Sequence, residues 1–328
     1  MESQIRNKRV LVTGGAGFIG SNLVEALLHQ ENEVVCLDNF ITGSRKNLEQ
    51  FHGNTRFHLL EGDIRNPSDC RKATDGVEYV LHQAALGSVP RSVKDPVTTN
   101  EVNVAGFLNM LVAARDQKVK RFVYASSSSV YGDHQGLPKT ESETGNPLSP
   151  YAITKKANEL YAGVFASLYG MELVGLRYFN VFGKQQDPEG EYAAVIPRFV
   201  KALIRHERPA IFGKGEQSRD FTFIENVIQA NQRAALATHP DAPNTAYNIA
   251  FGERITLNEL FFLLREYLSA YDPAISLVEP LYVTERPGDI PHSLASIDKA
   301  RQLLGYNPEF SVKEGLKKAI EWYWENLK

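Results

Sequence analysis

The sequence VLVTGGAGFIG occupies Val10 to Gly20, and this stretch decides the fold. An apolar run ends in closely spaced glycines, and an amphipathic pattern begins at Phe18. Gly14 permits a tight turn, Gly17 lets a pyrophosphate approach the backbone, and Gly20 lets the helix pack on the strand. The N-terminus of such a helix offers unpaired N–H groups and a positive dipole end to phosphates. The stretch therefore predicts a dinucleotide-binding turn.

The next predicted strand ends in an acidic residue at the spacing that a dinucleotide ribose requires. Asp38 follows Gly20 by eighteen residues, close to the ~20 expected for the ribose-binding acid. The residues after it, Asn39-Phe40-Ile41, include no arginine for a 2′-phosphate, which favours NAD over NADP. The chain contains no Walker A motif, so the pattern does not support a P-loop kinase.

Short apolar runs and helical patterns alternate through the first half of the chain. Several runs are apolar throughout, as expected of strands buried on both faces of a parallel sheet. The predicted strands are Arg9 to Thr13, Glu33 to Asp38, Arg56 to Leu60, Glu78 to Gln83, Arg121 to Ser126 and Glu172 to Phe179. The predicted helices are Phe18 to Gln30, Asn66 to Thr74, Val97 to Gln117 and Tyr151 to Leu168. This alternation predicts an α/β fold, a Rossmann-type doubly wound parallel sheet.

The regular alternation of strands and helices ends after about Val181, where glycine- and proline-bearing loops separate shorter elements. The strands predicted there are Ala210 to Phe212, Asp220 to Ile224, Tyr247 to Ile249 and Ile275 to Val278. The helices predicted there are Ala194 to His206, Glu225 to Ala237, Leu257 to Leu268 and Val312 to Asn326. We expect a dinucleotide-binding domain at residues 1–180 and a smaller C-terminal α/β substrate domain at residues 181–328, with some crossing of the chain between them.

Composition and charge exclude several classes of protein. The 328 residues are 43% hydrophobic and 23% charged, with a net charge of −3 and a pI of about 6.3, which argues against a nucleic-acid partner. Cys36 and Cys70 stand apart from each other and from histidines, so we expect neither a disulfide framework nor a metal site. The N-terminus has no leader pattern and no apolar run approaches ~18 residues, so we expect a cytosolic protein without a membrane partner.

A tyrosine and a lysine are placed for acid–base chemistry in the middle of the chain. Tyr151 and Lys155 lie four residues apart at the start of a predicted helix and therefore share one face of it. A nearby cation stabilises a phenolate, so we expect a lowered pKa for the phenol. Upstream, Ala125 to Ser129 reads ASSSS at the carboxyl end of a strand, where open α/β sheets bind their ligands. A serine there can hydrogen-bond both a substrate hydroxyl and the tyrosine oxygen.

These motifs together resemble the extended short-chain dehydrogenase/reductase superfamily. The resemblance is closest to UDP-sugar 4-epimerases, and among them to the bacterial UDP-N-acetylglucosamine 4-epimerases of surface-polysaccharide synthesis, such as that of O-antigen. It covers nearly the whole chain. The motifs that carry it are Gly14 to Gly20, Asp63, Ser127, Tyr151, Lys155, Leu176 to Asn180, Pro209 to Gly213, Arg219 to Phe221 and Arg286 to Asp289.

The resemblance implies a role for each matching residue. Ser127 would contact the substrate and the tyrosine, Tyr151 would act as base and acid, and Lys155 would hold the cofactor ribose. The expected cofactor contacts, from the strand ends and the resemblance together, are Gly14, Gly17, Phe18, Ile19, Asp38, Asn39, Gly43, Asp63, Ile64, Gln83, Ala84, Ala85, Asn103, Tyr151, Lys155 and Tyr178. The expected contacts to a UDP-sugar are Ser88, Ser127, Ser128, Ser129, Tyr151, Asn180, Ala194, Val195, Ile211, Phe212, Arg219, Arg286, Asp289 and Ser293.

The residues after Ser127 separate the related reactions. Sugar-nucleotide 4,6-dehydratases carry an Asp-Glu pair there, whereas this chain has Ser128-Ser129 and lacks a general acid for elimination of water. We therefore expect epimerisation at C4. In this hypothesis Tyr151 takes the 4-hydroxyl proton while hydride passes to tightly bound, recycled NAD, the 4-keto sugar turns about its anchored UDP, and hydride returns to the other face.

The size of the residues around the sugar indicates which hexose fits. Related hexose epimerases place a bulky tyrosine where Ser293 stands and asparagines where this chain has Ala193-Ala194. Both differences enlarge the pocket on the side that receives the C2 substituent, and we expect UDP-N-acetylhexosamines as substrates, with some activity on plain UDP-hexoses. An alternative explanation is that these small residues only repack a loop.

Three other interpretations stay open at this stage. A UDP-glucuronate 4-epimerase or decarboxylase would need a cation facing C6; the sequence marks no clear unassigned arginine for that place, and only Arg91 stays open. A non-catalytic dinucleotide sensor on the same fold would usually lose the tyrosine or the lysine. Relatives pair through the helices that correspond to Val97 to Gln117 and Tyr151 to Leu168, so a homodimer with a four-helix interface is expected. The apolar residues available to it are Phe107, Leu108, Leu111, Tyr161, Val164, Phe165 and Leu168, which core packing explains equally well.

Overall fold

A computed structural model describes residues 4–188, 194–285 and 291–328. Its strands are β1 (Arg9–Thr13), β2 (Glu33–Asp38), β3 (Phe57–Glu61), β4 (Tyr79–His82), β5 (Arg121–Ser127), β6 (Leu173–Tyr178), β7 (Val181–Phe182), β8 (Ala210–Phe212), β9 (Ser218–Arg219), β10 (Thr222–Phe223), β11 (Thr245–Ile249), β12 (Ile255–Thr256) and β13 (Leu281–Val283). Its α-helices are α1 (Phe18–His29), α2 (Pro67–Ala73), α3 (Val89–Lys94), α4 (Pro96–Asn100), α5 (Phe107–Asp116), α6 (Pro150–Tyr169), α7 (Val195–Ile204), α8 (Ile224–Leu236), α9 (Leu257–Ser269), α10 (Asp298–Leu304) and α11 (Val312–Asn326).

The central sheet of the described chain has seven parallel strands in the order β11-β6-β5-β4-β1-β2-β3. The chain leaves β1 toward β2 on one side and returns to β4 on the other, so the strand order reverses between β1 and β4. Crossover helices diverge at such a point and leave a crevice at the carboxyl ends of the strands. The predicted doubly wound α/β fold is confirmed.

Both faces of the sheet are buried, as the apolar strands require. Along β1, Val10 and Val12 pack into one hydrophobic cluster with Leu23 of α1, while Leu11 packs into the other cluster with Phe107 of α5. All five side chains are fully buried. Neighbouring residues of one strand thus supply two cores, which explains why the strand sequences are apolar throughout.

Two of the expected elements are wrong in kind or in continuity. The segment expected as a strand at Ile275 to Val278 is a 3-10 helix over Pro273–Leu277, because Pro273 follows Asp272, whose side chain accepts a hydrogen bond from Ala274 N at 3.0 Å. The expected helix over Val97 to Gln117 consists of α4, a π-helical turn over Glu101–Gly106, and α5.

Two expected strands are present, but one has an unexpected neighbour and the other is shorter than predicted. The strand expected at Tyr247 to Ile249 is β11, and it joins the edge of the central sheet beside β6 rather than a separate C-terminal sheet. Only Thr222–Phe223 of the strand expected at Asp220 to Ile224 is extended, since Ile224 already begins α8. The division at residue 180 allows for such crossing of the chain and stays a prediction.

Residues 4–188, 194–285 and 291–328 contain neither a helix that could span a membrane nor a cluster that could bind a metal ion. Within those ranges, no helix is both long and apolar enough to cross a membrane. The same residues include no group of three or more His, Cys, Asp or Glu side chains that could hold a metal ion.

Candidate active site

A cavity of about 840 Å³ opens at the carboxyl ends of β1 and β4, where the strand order reverses. Of the sixteen residues expected to contact the cofactor, fourteen line it and Asp63 and Asn103 do not. The lining residues are Gly14, Gly17, Phe18, Ile19, Asp38, Asn39, Gly43, Ile64, Gln83, Ala84, Ala85, Tyr151, Lys155 and Tyr178.

The glycine turn leaves room for a ligand because side chains are missing where backbones meet. Gly14 has a positive φ of 67°, and a Cβ on it would lie 2.8 Å from the Cα and N of Ala84. A Cβ on Gly20 would lie 2.1 Å from the carbonyl oxygen of Gly14, so only glycine allows α1 to approach the turn this closely. The N-terminus of α1 therefore lies against the cavity, which fits the pyrophosphate of a dinucleotide.

Asp38 stands at the cavity with its carboxylate held by the backbone. Its Oδ2 accepts from Ala16 N at 2.9 Å and its Oδ1 from Phe40 N at 2.8 Å. Burial raises the pKa of this carboxyl, and the N–H groups of Phe40 and Ala16 oppose that rise. Each oxygen keeps a second lone pair for a ribose hydroxyl. Together with the glycine turn, this acid fits the expected NAD.

Asp63 and Asn103 have protein partners instead of facing the cavity. Asn39 donates to Asp63 Oδ2 at 2.9 Å and Arg65 donates to both of its oxygens. Partial burial opposes the effect, but the bonds from Arg65 and Asn39 lower the pKa of Asp63. Asn103 is buried, and its amide exchanges two hydrogen bonds with the backbone of Leu86 at 2.7 and 3.1 Å.

Tyr151 lies in the first turn of α6, where three neighbours position the helix start. Ser149 caps the helix by accepting from Ala152 N at 3.1 Å, and Pro150 occupies the first helical position. The backbone N–H of Tyr151 donates to Ser92 Oγ of α3 at 3.0 Å. The phenol is thereby directed into the cavity beside the end of β5. Ser92 is a contribution that sequence reasoning missed.

Ser127, Tyr151 and Lys155 come together on one wall of the cavity. Lys155 Nζ donates to Ala125 O at 2.7 Å and lies 5.8 Å from the centroid of the Tyr151 ring. The Ser127 hydroxyl is hydrogen-bonded to the Tyr151 side chain. The strand-end serine and the helical pair thus share one site, as their spacing predicts.

The expected lowering of the Tyr151 pKa is wrong for the protein by itself. Burial raises the pKa of the phenol, and the hydrogen bond with Ser127 only partly opposes that rise. Lys155 is 3% exposed, and burial lowers the pKa of its ammonium to about 8. The cation lies on the carbonyl of Ala125 rather than on the phenolic oxygen, so the cost of desolvation exceeds its electrostatic help.

The two serines after Ser127 form the start of a 3-10 turn over Ser128–Tyr131. Ser127 Oγ caps this turn by accepting from Ser129 N at 3.1 Å. The hydroxyl of Ser129 is buried and has no hydrogen-bond partner among the described residues. Ser128 and Ser129 do not line the cavity, whereas Ser127 does.

Tyr178 closes the inner end of the cavity through a polar triangle. Its hydroxyl donates to Gln83 Oε1 at 3.2 Å and accepts from Asn231 Nδ2 at 2.9 Å. Gln83 Nε2 donates to Asn231 Oδ1 at 3.2 Å and completes the triangle. Asn231 comes from α8, so it joins the site only through tertiary packing.

Of the fourteen residues expected to hold the UDP-sugar, six described ones lie in the C-terminal part, outside the lining of this cavity. Asn180 does line the cavity, and its side-chain amide donates to the carbonyl oxygen of Asp220 at 2.9 Å. The backbone N–H of Ser293 donates to the carbonyl oxygen of Ser218 at 3.0 Å. Ser293 therefore lies beside Arg219, the next residue of β9. The other expected residues outside the lining are Ser88, the cap of α3; Ala194 and Val195, at the start of α7; and Ile211 and Phe212, in β8. Ala193, Arg286 and Asp289 lie outside the described residues.

Sequence reasoning missed one wall of the cavity. Gln185 lines it, and its Oε1 accepts from Ser21 Oγ at 2.6 Å on α1. Trp322 and Asn326 reach it from α11, close to the end of the chain. No local pattern marks these residues, because they reach the site through contacts between segments far apart in sequence.

Comparisons with known proteins agree with this geometry. The profile of the NAD dependent epimerase/dehydratase family matches residues 10–250. A putative UDP-glucose 4-epimerase of Methanocaldococcus jannaschii is 38% identical over 97% of this chain and 99% of its own. The solved UDP-N-acetylglucosamine 4-epimerase from Methanobrevibacter ruminantium, in complex with UDP-N-acetylmuramic acid, is 38% identical, with a TM-score of 0.91 over 98% of this chain and 99% of that one.

A second solved structure shares the fold at lower identity. It is the UDP-glucuronic acid 4-epimerase from Bacillus cereus in complex with UDP-glucuronic acid and NAD. That protein is 31% identical, with a TM-score of 0.86 over 97% of this chain and 99% of that one. Similar folds therefore accompany different sugars among the chains that this protein resembles.

Proposed function

Because the chain belongs to the NAD dependent epimerase/dehydratase family, we propose that it inverts C4 of UDP-N-acetylhexosamines, interconverting UDP-GlcNAc and UDP-GalNAc. The observation that carries the proposal is the convergence of Ser127, Tyr151 and Lys155 on a cavity that begins at the glycine turn. The family's cofactor is NAD, and the turn and Asp38 fit it.

The side chains of this site can move a proton at the sugar hydroxyl. Bound NAD supplies the hydride acceptor that an alcohol oxidation needs. Tyr151 takes the proton of the 4-hydroxyl and returns it from the same atom after the sugar has turned. Ser127, bonded to that phenol, keeps the hydroxyl and the base in line. A ligand that brings a positive charge near the phenol also offsets the rise in its pKa caused by burial.

The position of two serines argues against elimination of water. Ser128 and Ser129 follow Ser127 in the 3-10 turn, and neither side chain can act as a carboxylic acid. Loss of water from the sugar requires a general acid beside the departing hydroxyl. Epimerisation needs only the base already present and the hydride acceptor that bound NAD would supply. We therefore propose isomerase rather than dehydratase activity.

Replacement of Tyr151 by Phe tests the function. The change removes the phenolic oxygen and leaves the ring, so turnover of a UDP-sugar should fall by about 10²–10⁴-fold. NAD should still copurify in native amount, measured by mass and ultraviolet spectroscopy. A native protein that turns over no UDP-sugar, or a variant with full turnover, contradicts the proposal.

The proposed preference for N-acetyl sugars depends on Ser293. Its backbone is paired with Ser218 next to Arg219, and its side chain is small and half-buried. A Ser293→Tyr variant should lose turnover of UDP-GlcNAc while keeping turnover of UDP-glucose. A Ser293→Ala variant controls for loss of the hydroxyl alone and should keep both. If the Ser293→Tyr variant turned over UDP-GlcNAc at the native rate, Ser293 would not determine the preference for N-acetyl sugars.

UDP-glucuronate is the second candidate substrate, because the solved relative from Bacillus cereus acts on that sugar acid. Arg91 is the cation considered for its carboxylate, and it lies on α3, which packs against α6. Incubation with UDP-GlcNAc, UDP-glucose and UDP-glucuronate, with chromatographic separation of the products, ranks the three. Preferential turnover of UDP-glucuronate, lost in an Arg91→Met variant, would replace the first assignment.

The proposal extends to a cytosolic homodimer paired through α4, α5 and α6. Leu160, Val164 and Leu168 of α6 are 64%, 51% and 68% exposed, and Val97 of α4 is 67% exposed. Phe107, Leu111 and Phe165, also considered for the interface, are buried in the core instead. The exposed residues form an apolar face on packed helices, which favours pairing with a second copy of the chain. The buried, unpaired Cys36 and Cys70 are consistent with the cytosol.

A further inference from the structure

A buried ion pair lies behind the candidate catalytic residues. Arg177 of β6 and Glu159 of α6 have side chains that are 5% and 11% exposed. They form two parallel hydrogen bonds of 2.8 Å, Nε to Oε1 and Nη2 to Oε2. Glu159 Oε1 also accepts from Ser126 Oγ at 2.6 Å. The pair therefore holds the residue that directly precedes Ser127.

The same arginine also holds the segment that follows Ser127. Arg177 Nη1 donates to the hydroxyl of Tyr131 at 3.0 Å, at the end of the 3-10 turn. Tyr131 is buried, and its hydroxyl donates to Asn248 Oδ1 of β11 at 2.6 Å. Ser127 thus lies between two anchor points, Ser126 and Tyr131, that share one guanidinium–carboxylate pair.

Glu159 also belongs to the helix that carries the base. Tyr151, Lys155 and Glu159 are spaced by four residues along α6, so they follow one another along one face. The proposed base, the ammonium and the carboxylate that holds β5 are therefore parts of one rigid helix. A shift of α6 along β5 would therefore change the bonds of Glu159 and the separation of Tyr151 from Ser127 together.

We propose that Arg177 and Glu159 are positioning residues, which set the distance between Ser127 on the strand end and Tyr151 on the helix. The inference rests on the proposed function, because it concerns the alignment of that base. Buried ion pairs often add little net stability relative to apolar residues of similar volume. Their fixed, bidentate geometry instead specifies how two elements meet. A small misplacement of reacting groups has a large effect on turnover.

The test replaces the pair by apolar residues of similar size, Glu159→Leu with Arg177→Met. No charge is left buried alone, so the protein should fold and keep its NAD. We expect kcat to fall about tenfold to hundredfold, with KM for the UDP-sugar changed by less than about threefold. If the pair had only a structural role, its replacement would lower the free energy of unfolding without lowering kcat at a nearly constant KM.

Arg121 and Glu172 provide a matched control. They form an ion pair where β5 and β6 begin, and their side chains are 8% and 45% exposed. Arg121→Met with Glu172→Leu makes the same two changes of residue type in a less buried pair far from Ser127 and should leave kcat at the native value. The proposal is overturned if the Glu159→Leu, Arg177→Met variant keeps a kcat within about twofold of the native value. It is also overturned if the control variant loses as much kcat as the site variant.

A second variant and a titration without sugar test the same proposal if the first variant does not fold or the protein has no activity on UDP-sugars. If the site pair does not fold, Ser126→Ala combined with Tyr131→Phe removes only two hydroxyl groups, and kcat should still fall about threefold to tenfold. Titration of Tyr151, measured as the ultraviolet difference between each protein and its Tyr151→Phe form, requires no sugar. The Tyr151 pKa should differ from the native one in the site variants and not in the control. A native protein inactive on every UDP-sugar refutes the proposed function, whereas an unmoved titration refutes the positioning role.

Discussion

Among single residues, the ammonium of Lys155 carries an electrostatic cost in the site. It is 3% exposed, it donates to Ala125 O at 2.7 Å, and burial lowers its pKa to about 8 from 10.5. A depression of this size corresponds to about 3 kcal/mol against the charged form. The protein therefore holds a destabilising cation where a ligand anion or hydroxyl can use it, an arrangement typical of functional sites.

Lys155→Met should stabilise the protein and abolish turnover. Below pH 8 the native ammonium is charged in both the folded and the unfolded chain, so the cost of burial is fully present. As the pH rises from about 8 to 10.5, the folded chain loses its proton first and the cost disappears. After about 1 kcal/mol for the lost hydrogen bond to Ala125, the gain at pH 7 is about 2 kcal/mol.

Urea unfolding of NAD-free protein at several pH values measures this effect. The difference in free energy of unfolding between Lys155→Met and the native protein should shrink through the window from 8 to 10.5. Lys156, its neighbour on α6, is half-buried and offers a Lys156→Met control. A difference that stays constant with pH would show that the ammonium is not the source of the gain.

Among the elements, α6 positions the base through the way it begins. Ser149 caps it, Pro150 sets the first helical residue, and Ser92 accepts the N–H of Tyr151. The start of the helix is therefore fixed by groups within two residues of the phenol and by a separate helix, α3. Two of these three contributions can be predicted from the sequence, because Ser-Pro before a helical pattern indicates a helix start. The contact with Ser92 depends on how α3 packs.

Removal of the cap should affect stability and turnover together. Ser149→Ala should lower the free energy of unfolding by about 1 kcal/mol. It should also lower kcat severalfold, because the first turn that holds Tyr151 loosens. Thr256→Ala removes the corresponding cap of α9, where the Thr256 hydroxyl accepts a hydrogen bond from Glu259 N at 3.1 Å. This control should lose similar stability in denaturant unfolding and keep kcat, and an equal loss of kcat in both would contradict the argument.

For the whole molecule, the exposed apolar residues on α6 lie at a helical spacing that makes one face. Leu160, Val164 and Leu168 are four residues apart and more than half exposed, while their helix neighbour Ala162 is buried against the sheet. One face of α6 therefore packs in the core and another remains apolar toward solvent. A soluble monomer rarely keeps such a face uncovered.

Charges on this face should separate the proposed homodimer. Leu160→Glu with Leu168→Glu would place four like charges in a symmetric interface, so the mass measured by sedimentation velocity should change from two chains to one. Leu277 is 82% exposed on the 3-10 helix of the C-terminal part. Leu277→Glu is the control and should not change the mass. A native mass of one chain would exclude the dimer.

Local spacing within the chain determined the central fold and the cofactor turn. The glycines from Gly14 to Gly20, the acid at Asp38 and the pair Tyr151–Lys155 act over a few residues, where backbone geometry alone relates the positions. These features could therefore be predicted before any contact between distant segments was known. The serines at the end of β5 belong to the same class, because parallel strands place their carboxyl ends at one edge.

Only the tertiary structure decided which distant residues complete the site. The pairing of Arg177 with Glu159, the arrival of Trp322 at the cavity and the place of β11 beside β6 depend on the packing of whole elements. The raised pKa of Tyr151 depends on it as well, since burial outweighs the lysine four residues away. The physical reason is that desolvation and long-range contacts are set by all elements that surround a residue, whereas a sequence pattern reports only the residue's own segment.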